Sequence, residues 1–251
     1  MICILLRGVD LSASSPPALN REQSHHLANV LRLKTGAPVR ILNGAGASRL
    51  AEITDVAKHQ VAYEFRGGVE TLPQAAAQIT LFQCVAKAAR MDWLIEKATE
   101  LAVARVVPVI SERTICALDS GESPVRWTRI AEAALCQCGG GYLPEISGAA
   151  KWNDALAQIR DFIASGGVVF VGALTPDAPS LGAELSVIFD GGVSAPPRVA
   201  FVIGPEGDLS PAEYESVFAA GARPVSFGAQ VLRVETAAIF AVCAAQAFAL
   251  K

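Results

Sequence analysis

The 251 residues, 52% of them apolar, suffice for one large or two small domains with well-buried cores, which excludes a disordered chain. The formal charge of −3 is unevenly placed: residues 1–66 hold eight Lys/Arg against five Asp/Glu (+3) and residues 67–251 thirteen against nineteen (−6), too small a split to mark a nucleic-acid surface by itself. Six scattered cysteines (3, 84, 116, 136, 138 and 243) include one close pair, Cys136 and Cys138, with no second pair or nearby His to complete a zinc site, so they read as reduced thiols of a cytosolic protein.

Residues 1–6 form an apolar run too short for a signal h-region. A helix is predicted over 22–33, with Leu27, Val30 and Leu31 on an apolar face and His25, His26, Arg32 and Lys34 in a polar group suited to RNA phosphate. No catalytic Ser or Cys and no second-site carboxylate partner is identifiable for His25 and His26, so they read as a solvated helix end rather than catalytic groups. The segments 39–42, 50–53 and 61–65 alternate like strands of a small barrel. Residues 67–77, opening on Gly67-Gly68, read as a linker.

From Gln78 the period changes. A buried strand is predicted over 79–85, a helix over 90–103 with Met91, Leu94, Ile95, Ala98 and Leu101 on one face, and a strand over 106–110. Helices at 125–138 and 152–164 and strands at 168–172 and 199–203 continue the alternation, so 78–251 is an α/β domain with a mainly parallel sheet. The most apolar helix, 237–250, is too short to span a bilayer and fits either a monomer core or a subunit interface.

Strand 199–203 runs into Ile203-Gly204-Pro205-Glu206-Gly207. A second strand, 223–227, runs into Phe227-Gly228, followed by Val231-Leu232-Arg233-Val234-Glu235-Thr236. Between them Ser210-Pro211-Ala212-Glu213 has capping-box spacing with Pro at the first helical position, and Gly221 ends that helix. This order predicts a crossover that makes the two strands parallel neighbours, with both loops on the sheet edge where α/β proteins bind small ligands. Neither loop has a dinucleotide or phosphate-loop glycine pattern, and Glu206 repels a pyrophosphate, so a cofactor without phosphate fits.

Several segments together resemble one family. They are 26–32, Lys87 with 90–101, Ser111-Glu112-Arg113, Gln137-Cys138-Gly139, Pro144-Glu145-Ile146 and both terminal loops. They are similar to the bacterial 16S ribosomal RNA uridine-N3 methyltransferases of the RsmE type, in the SPOUT superfamily, over nearly the whole chain. The resemblance implies a PUA-like RNA-binding β-barrel over 1–70 and a SPOUT-type α/β trefoil-knot domain over 78–251 for cofactor binding, catalysis and dimerisation. It also implies S-adenosylmethionine as cofactor, 16S ribosomal RNA of the small subunit as substrate, N3 of a uridine as the methylated atom, a homodimer and a cytoplasmic location, without DNA or membrane partners. The alternatives are a SPOUT enzyme acting on a ribose 2′-oxygen or another base position, and a ribosome-binding homologue without catalysis.

On that basis Leu174, Ile203, Gly204, Gly207, Phe227, Gly228, Val231 and Leu232 are expected to build the cofactor pocket. Uracil N3 must lose a proton during methylation, and Arg233 is expected to stabilise the resulting anion. Glu235 either accepts the proton, fixes the arginine, or caps the last helix with Thr236. Arg7, Arg32, Lys34, Lys87, Arg90 and Arg113 are expected on RNA phosphates. The chain departs from the family pattern at Cys136 (usually Glu), Gly140 (usually Arg), Asp208 (usually Gly), Gln230 (usually Arg) and Val234 (usually Thr). The acid at 208 and the missing arginines are expected to weaken an RNA surface.

Overall fold

A computed structural model describes residues 1–57, 60–115, 122–175, 177–189 and 197–250. Cys116 lies outside the described residues. Packing divides the chain into two units, one of Met1–Gln74 with Leu135–Leu143 and one of Ala75–Ala134 with the chain from Pro144 onward. A split at residues 70–78 alone does not anticipate the return of 135–143 to the first unit.

The first unit is a four-stranded sheet of β1 (Ile2–Leu5), β2 (Pro38–Leu42), β3 (Ala47–Val56) and β4 (Val61–Thr71), in that order. Its first pair is parallel and the others antiparallel. Ile4, Leu11, Leu27, Val39, Ile41, Ile53 and Tyr63 fill its core. Gly46 N–H donates to Gly141 O (2.9 Å) and Leu143 N–H to Gly44 O (2.9 Å), which ties the returning segment to the β2–β3 turn.

Two predictions in this unit are corrected. The helix expected over 22–33 is α1 (Arg21–His25), opened by a capping box between Asn20 and Gln23, followed by a π-helical turn over His26–Val30. That wider coil shifts the phase of the side chains. Leu27 stays buried while Val30 and Leu31 are exposed, and the run ends at Arg32 with φ of 51°. The expected linker is strand as far as Thr71. Leu50 pairs with Arg66 but Arg49 with Val69, so Gly67 and Gly68 form a bulge. Gly67 supplies it with a φ of 71° that a side chain disfavours.

The second unit is built on a seven-stranded sheet. Its strands are β5 (Gln78–Cys84), β6 (Arg105–Ile110), β7 (Glu145–Ile146), β8 (Ala150–Lys151), β9 (Val168–Gly172), β10 (Arg198–Ile203) and β11 (Arg223–Val225). The order is β11-β9-β10-β5-β6-β7, with β8 also on β6, and every pairing among the described residues is parallel. Burial on both faces explains why these strands read as unbroken apolar runs. Phe82, Cys84, Val107, Val169, Val171 and Val202 pack on one side with α4 (Trp152–Ala164) and α6 (Pro211–Ala219). On the other side α7 (Val234–Ala249) packs on β10 and β5 and against α2 (Ala88–Glu100) and α5 (Leu181–Phe189). Its buried alanines, Ala238, Ala241 and Ala245, let helix and sheet approach closely. α3 (Glu122–Cys138) runs from this unit into the returning segment of the first.

The expected pairing of β10 with β11 is overturned. β9 lies between them, pairing Val199 with Val168 on one side and Arg223 with Phe170 on the other. A crossover fixes parallel direction but not adjacency, because an earlier strand can occupy the gap. The sequence reading also missed α5 and the two-residue strands β7 and β8, which are too short for a period.

Burial pushes the Cys84 thiol up from 9.0 to about 12 and the Tyr63 phenol from 10.0 to about 12. Burial and then the Asp208 carboxylate raise the Tyr214 phenol. All three hold their protons more tightly in the folded chain, so the stability they contribute is full below pH 9 and is lost as pH rises towards 12. The urea midpoint should therefore fall steadily above pH 9, and Cys84→Ala should flatten the first part of that fall.

Candidate functional site

A cavity of about 740 Å³ opens at the carboxyl ends of β9, β10 and β11. It is lined by Gly172 to Thr175 after β9, Ile203 to Glu206 and Asp208 after β10, and Ser226 to Val234 after β11, with Arg90 and Ala237 from α2 and α7. The volume is that of a small-molecule or cofactor site. Its walls are mixed: Leu174, Ile203, Phe227, Val231, Leu232 and Ala237 are apolar, and the glycine-bearing loops present backbone N–H and C=O groups. A Cβ on Gly172 would come within 2.6 Å of the Phe227 ring, so glycine there is what lets Phe227 lie over the end of β9 and pack on Phe240, 5.7 Å between ring centroids.

Of the residues expected in the pocket, Leu174, Ile203, Gly204, Phe227, Gly228, Val231 and Leu232 line the cavity. Gly207 does not; it faces Arg113, whose Cβ lies 3.4 Å from where a Gly207 Cβ would stand. Arg233 lines the cavity as the N-cap residue of α7. Glu235 sits in the first turn of that helix without making a capping bond, and its buried Oε2 has no hydrogen-bond partner.

The expected phosphate contacts divide. Arg7, Arg32 and Lys34 are exposed on the first unit and Lys87 is exposed at the start of α2. Arg90 is already paired: its Nη1 donates to Glu206 Oε1 at 2.9 Å and its Nε lies 3.8 Å from Glu235 Oε1. Its guanidinium ties the start of α2 to two carboxylates beside the cavity, contacts 116 residues apart in the case of Glu206 that no local pattern announces. Arg113 is engaged as well, its Nη1 donating to Gly207 O (3.0 Å) and, at 3.5 Å, to Leu209 O.

Two further residues hold the loop after β10. Glu213 is buried; its Oε2 accepts from Ser210 N–H (2.9 Å) and its Oε1 from Glu112 N–H (2.8 Å). One carboxylate thereby caps α6 and clamps the loop after β6. Asp208 takes φ of 62°, and its Oδ1 accepts from Leu209 N–H (2.8 Å) and Tyr214 O–H (2.7 Å). The capping-box spacing was visible at Glu213; its second bond to Glu112 was not.

A family model described as an RNA methyltransferase domain matches residues 73–246, and one described as an RNA methyltransferase PUA domain matches residues 19–64. The ribosomal RNA small subunit methyltransferase E of Bacillus subtilis is 26% identical, covering 90% of this chain and 88% of its own length. That of Synechocystis is 28% identical, covering 87% and 69%. Among solved structures, the Neisseria gonorrhoeae ribosomal RNA small subunit methyltransferase E bound to S-adenosyl methionine superposes with a TM-score of 0.84 at 28% identity, over 98% of this chain and 97% of that one. A Legionella pneumophila protein in complex with the cofactor SAM gives 0.81 at 28%, over 98% and 97%.

The Glu213 clamp is open to a stability test. Glu213→Ala leaves the buried N–H of Ser210 and that of Glu112 without their acceptor and should cost about 2–4 kcal/mol in urea denaturation. Glu213→Gln keeps one acceptor oxygen and should cost less than half as much.

Proposed function

The chain belongs to the RNA methyltransferase family, in its RsmE type with a PUA domain, and from that premise we propose that it methylates N3 of a uridine in 16S ribosomal RNA using S-adenosylmethionine. The observation that carries the reading is the cavity formed by three loops at adjoining strand ends with Arg233 in its wall. Relatives of 28% identity have been solved with S-adenosylmethionine bound, and the residues of this cavity fit that cofactor. Adenine wants apolar walls with a few backbone hydrogen bonds, which Leu174, Ile203, Val231 and Leu232 and the glycine loops offer. When bound, the cofactor supplies a methyl already activated on a sulfonium, so binding and alignment are the protein's main task.

The chain's own groups account for the proton and the charge. Arg233 in the cavity wall stabilises the anion that spreads over the carbonyl oxygens flanking N3. Glu235, at the same helix start but outside the cavity lining, has a buried Oε2 without a partner, and we assign it as the carboxylate that takes the N3 proton. Arg90 holds Glu206 and Glu235 together and so orients that acceptor. The exposed Lys87, Arg32 and Lys34 are the side chains for phosphate.

A homodimer belongs to the same proposal. Leu174, Val231 and Phe240 are large apolar side chains exposed at or beside the cavity, as a subunit contact would use them. A cytoplasmic location goes with a ribosomal substrate, and among the described residues no helix is long and apolar enough to cross a membrane.

The test is transfer of labelled methyl from S-adenosylmethionine to small-subunit particles lacking the modification, followed by nucleoside analysis. Labelled 3-methyluridine is expected; another methylated nucleoside would shift the reading to a different position, and no transfer by folded protein beside a competent control enzyme would end it. Arg233→Ala should lower kcat by about 10²–10³-fold while the S-adenosylmethionine Kd stays within about threefold. Lys87→Ala should reduce the salt slope of RNA binding by about 1, whereas Arg90→Ala, whose guanidinium is already paired with carboxylates, should leave the slope unchanged.

A further inference from the structure

We infer that Asp208 is a cofactor-binding residue, its carboxylate taking a cationic group of S-adenosylmethionine; the inference rests on the cofactor reading above. Asp208 lines the cavity and stands at φ of 62°, a left-handed conformation that Asp enters more readily than most residues with a Cβ, and glycine more readily still. A glycine meets that backbone without strain, so the loop's geometry does not itself require an acid.

The acid is held in a defined direction. Oδ1 accepts from Leu209 N–H at 2.8 Å and from Tyr214 O–H at 2.7 Å, and the same phenol lies 3.5 Å from Gly172 O at the end of β9. Gly204 packs against it, Oδ1 lying 3.4 Å from where a Gly204 Cβ would stand. With Oδ1 committed to two donors, Oδ2 is the oxygen left for the cavity: among the described residues it has no hydrogen bond or salt bridge, and it is not one of the buried atoms lacking a partner.

The charges in the cavity wall point to the ligand group. The lining carries two arginines, Arg90 and Arg233, and two carboxylates, Glu206 and Asp208. Glu206 is engaged by Arg90 at 2.9 Å, which leaves Asp208 as the lining carboxylate without a cation of the protein's own among the described residues. S-adenosylmethionine brings two cationic groups into such a cavity, its sulfonium and its α-ammonium. A carboxylate oriented by two hydrogen bonds and open on its other oxygen is suited to either.

Calorimetric titration of Asp208→Asn and Asp208→Gly with S-adenosylmethionine and with S-adenosylhomocysteine, beside thermal melts, tests this. Asn preserves the amide oxygen for Leu209 and Tyr214 and removes only the charge, so the S-adenosylmethionine Kd should rise about tenfold with Tm nearly unchanged. Gly relieves the backbone, so its affinity should fall as far while the fold persists. Loss confined to S-adenosylmethionine assigns the sulfonium, because S-adenosylhomocysteine, a neutral thioether, lacks that charge; equal loss for both assigns the ammonium. Unchanged affinity in either folded variant overturns the inference, whereas failure of the unaltered protein to bind either compound overturns the proposed function itself.

Discussion

Everything at the functional edge depends on β9 being wedged between β10 and β11. Parallel pairing of Val199 with Val168 and of Arg223 with Phe170 brings three strand ends side by side, and the loops leaving them close around one cavity. Had β10 and β11 paired directly, Gly172 to Thr175 would lie elsewhere. The interior supports the arrangement: Phe170 of β9 stacks on Phe201 of β10, 6.0 Å between centroids, and neither is exposed. Stacked aromatic pairs of this kind add to what burial alone contributes.

A second regularity follows from that edge. Loops at strand ends carry backbone groups that no ladder partner satisfies, and here single side chains satisfy them in pairs. Glu213 accepts from the loops after β6 and β10, Arg113 donates to Gly207 and Leu209, and Tyr214 reaches both Asp208 and Gly172. Arg90 does the same with charge, joining α2 to Glu206 and Glu235. The cavity is therefore bordered by loops tied to one another, the condition for a preorganised site.

Much of the architecture was legible. The apolar runs at 79–85, 106–110, 168–172 and 199–203 are strands because burial on both faces demands them. The Ser210 to Glu213 spacing became the capping box of α6 because each side chain reaches the other's backbone. The two glycine loops were legible as lying on one sheet edge, and residues of both line the cavity. What failed had local physical causes. The π-turn at His26–Val30 breaks the 3.6 period on which Val30 and Leu31 were placed, and the bulge at Gly67 lets a strand pass through residues that look like a linker.

The sequence by itself determined the alternation of strands and helices, the capped start of α6, the two glycine loops and the family, because each is a pattern among near neighbours or an ordered set of motifs. Only the tertiary structure decided that β9 separates β10 from β11, that Arg90 and Arg113 serve loops beside the cavity, and that Tyr214 holds Asp208 at its edge. These are contacts between residues that share no period or spacing. A guanidinium has the same sequence signature whether it meets a phosphate, a carboxylate or a carbonyl, and its partner is settled by which strand ends the sheet sets next to each other.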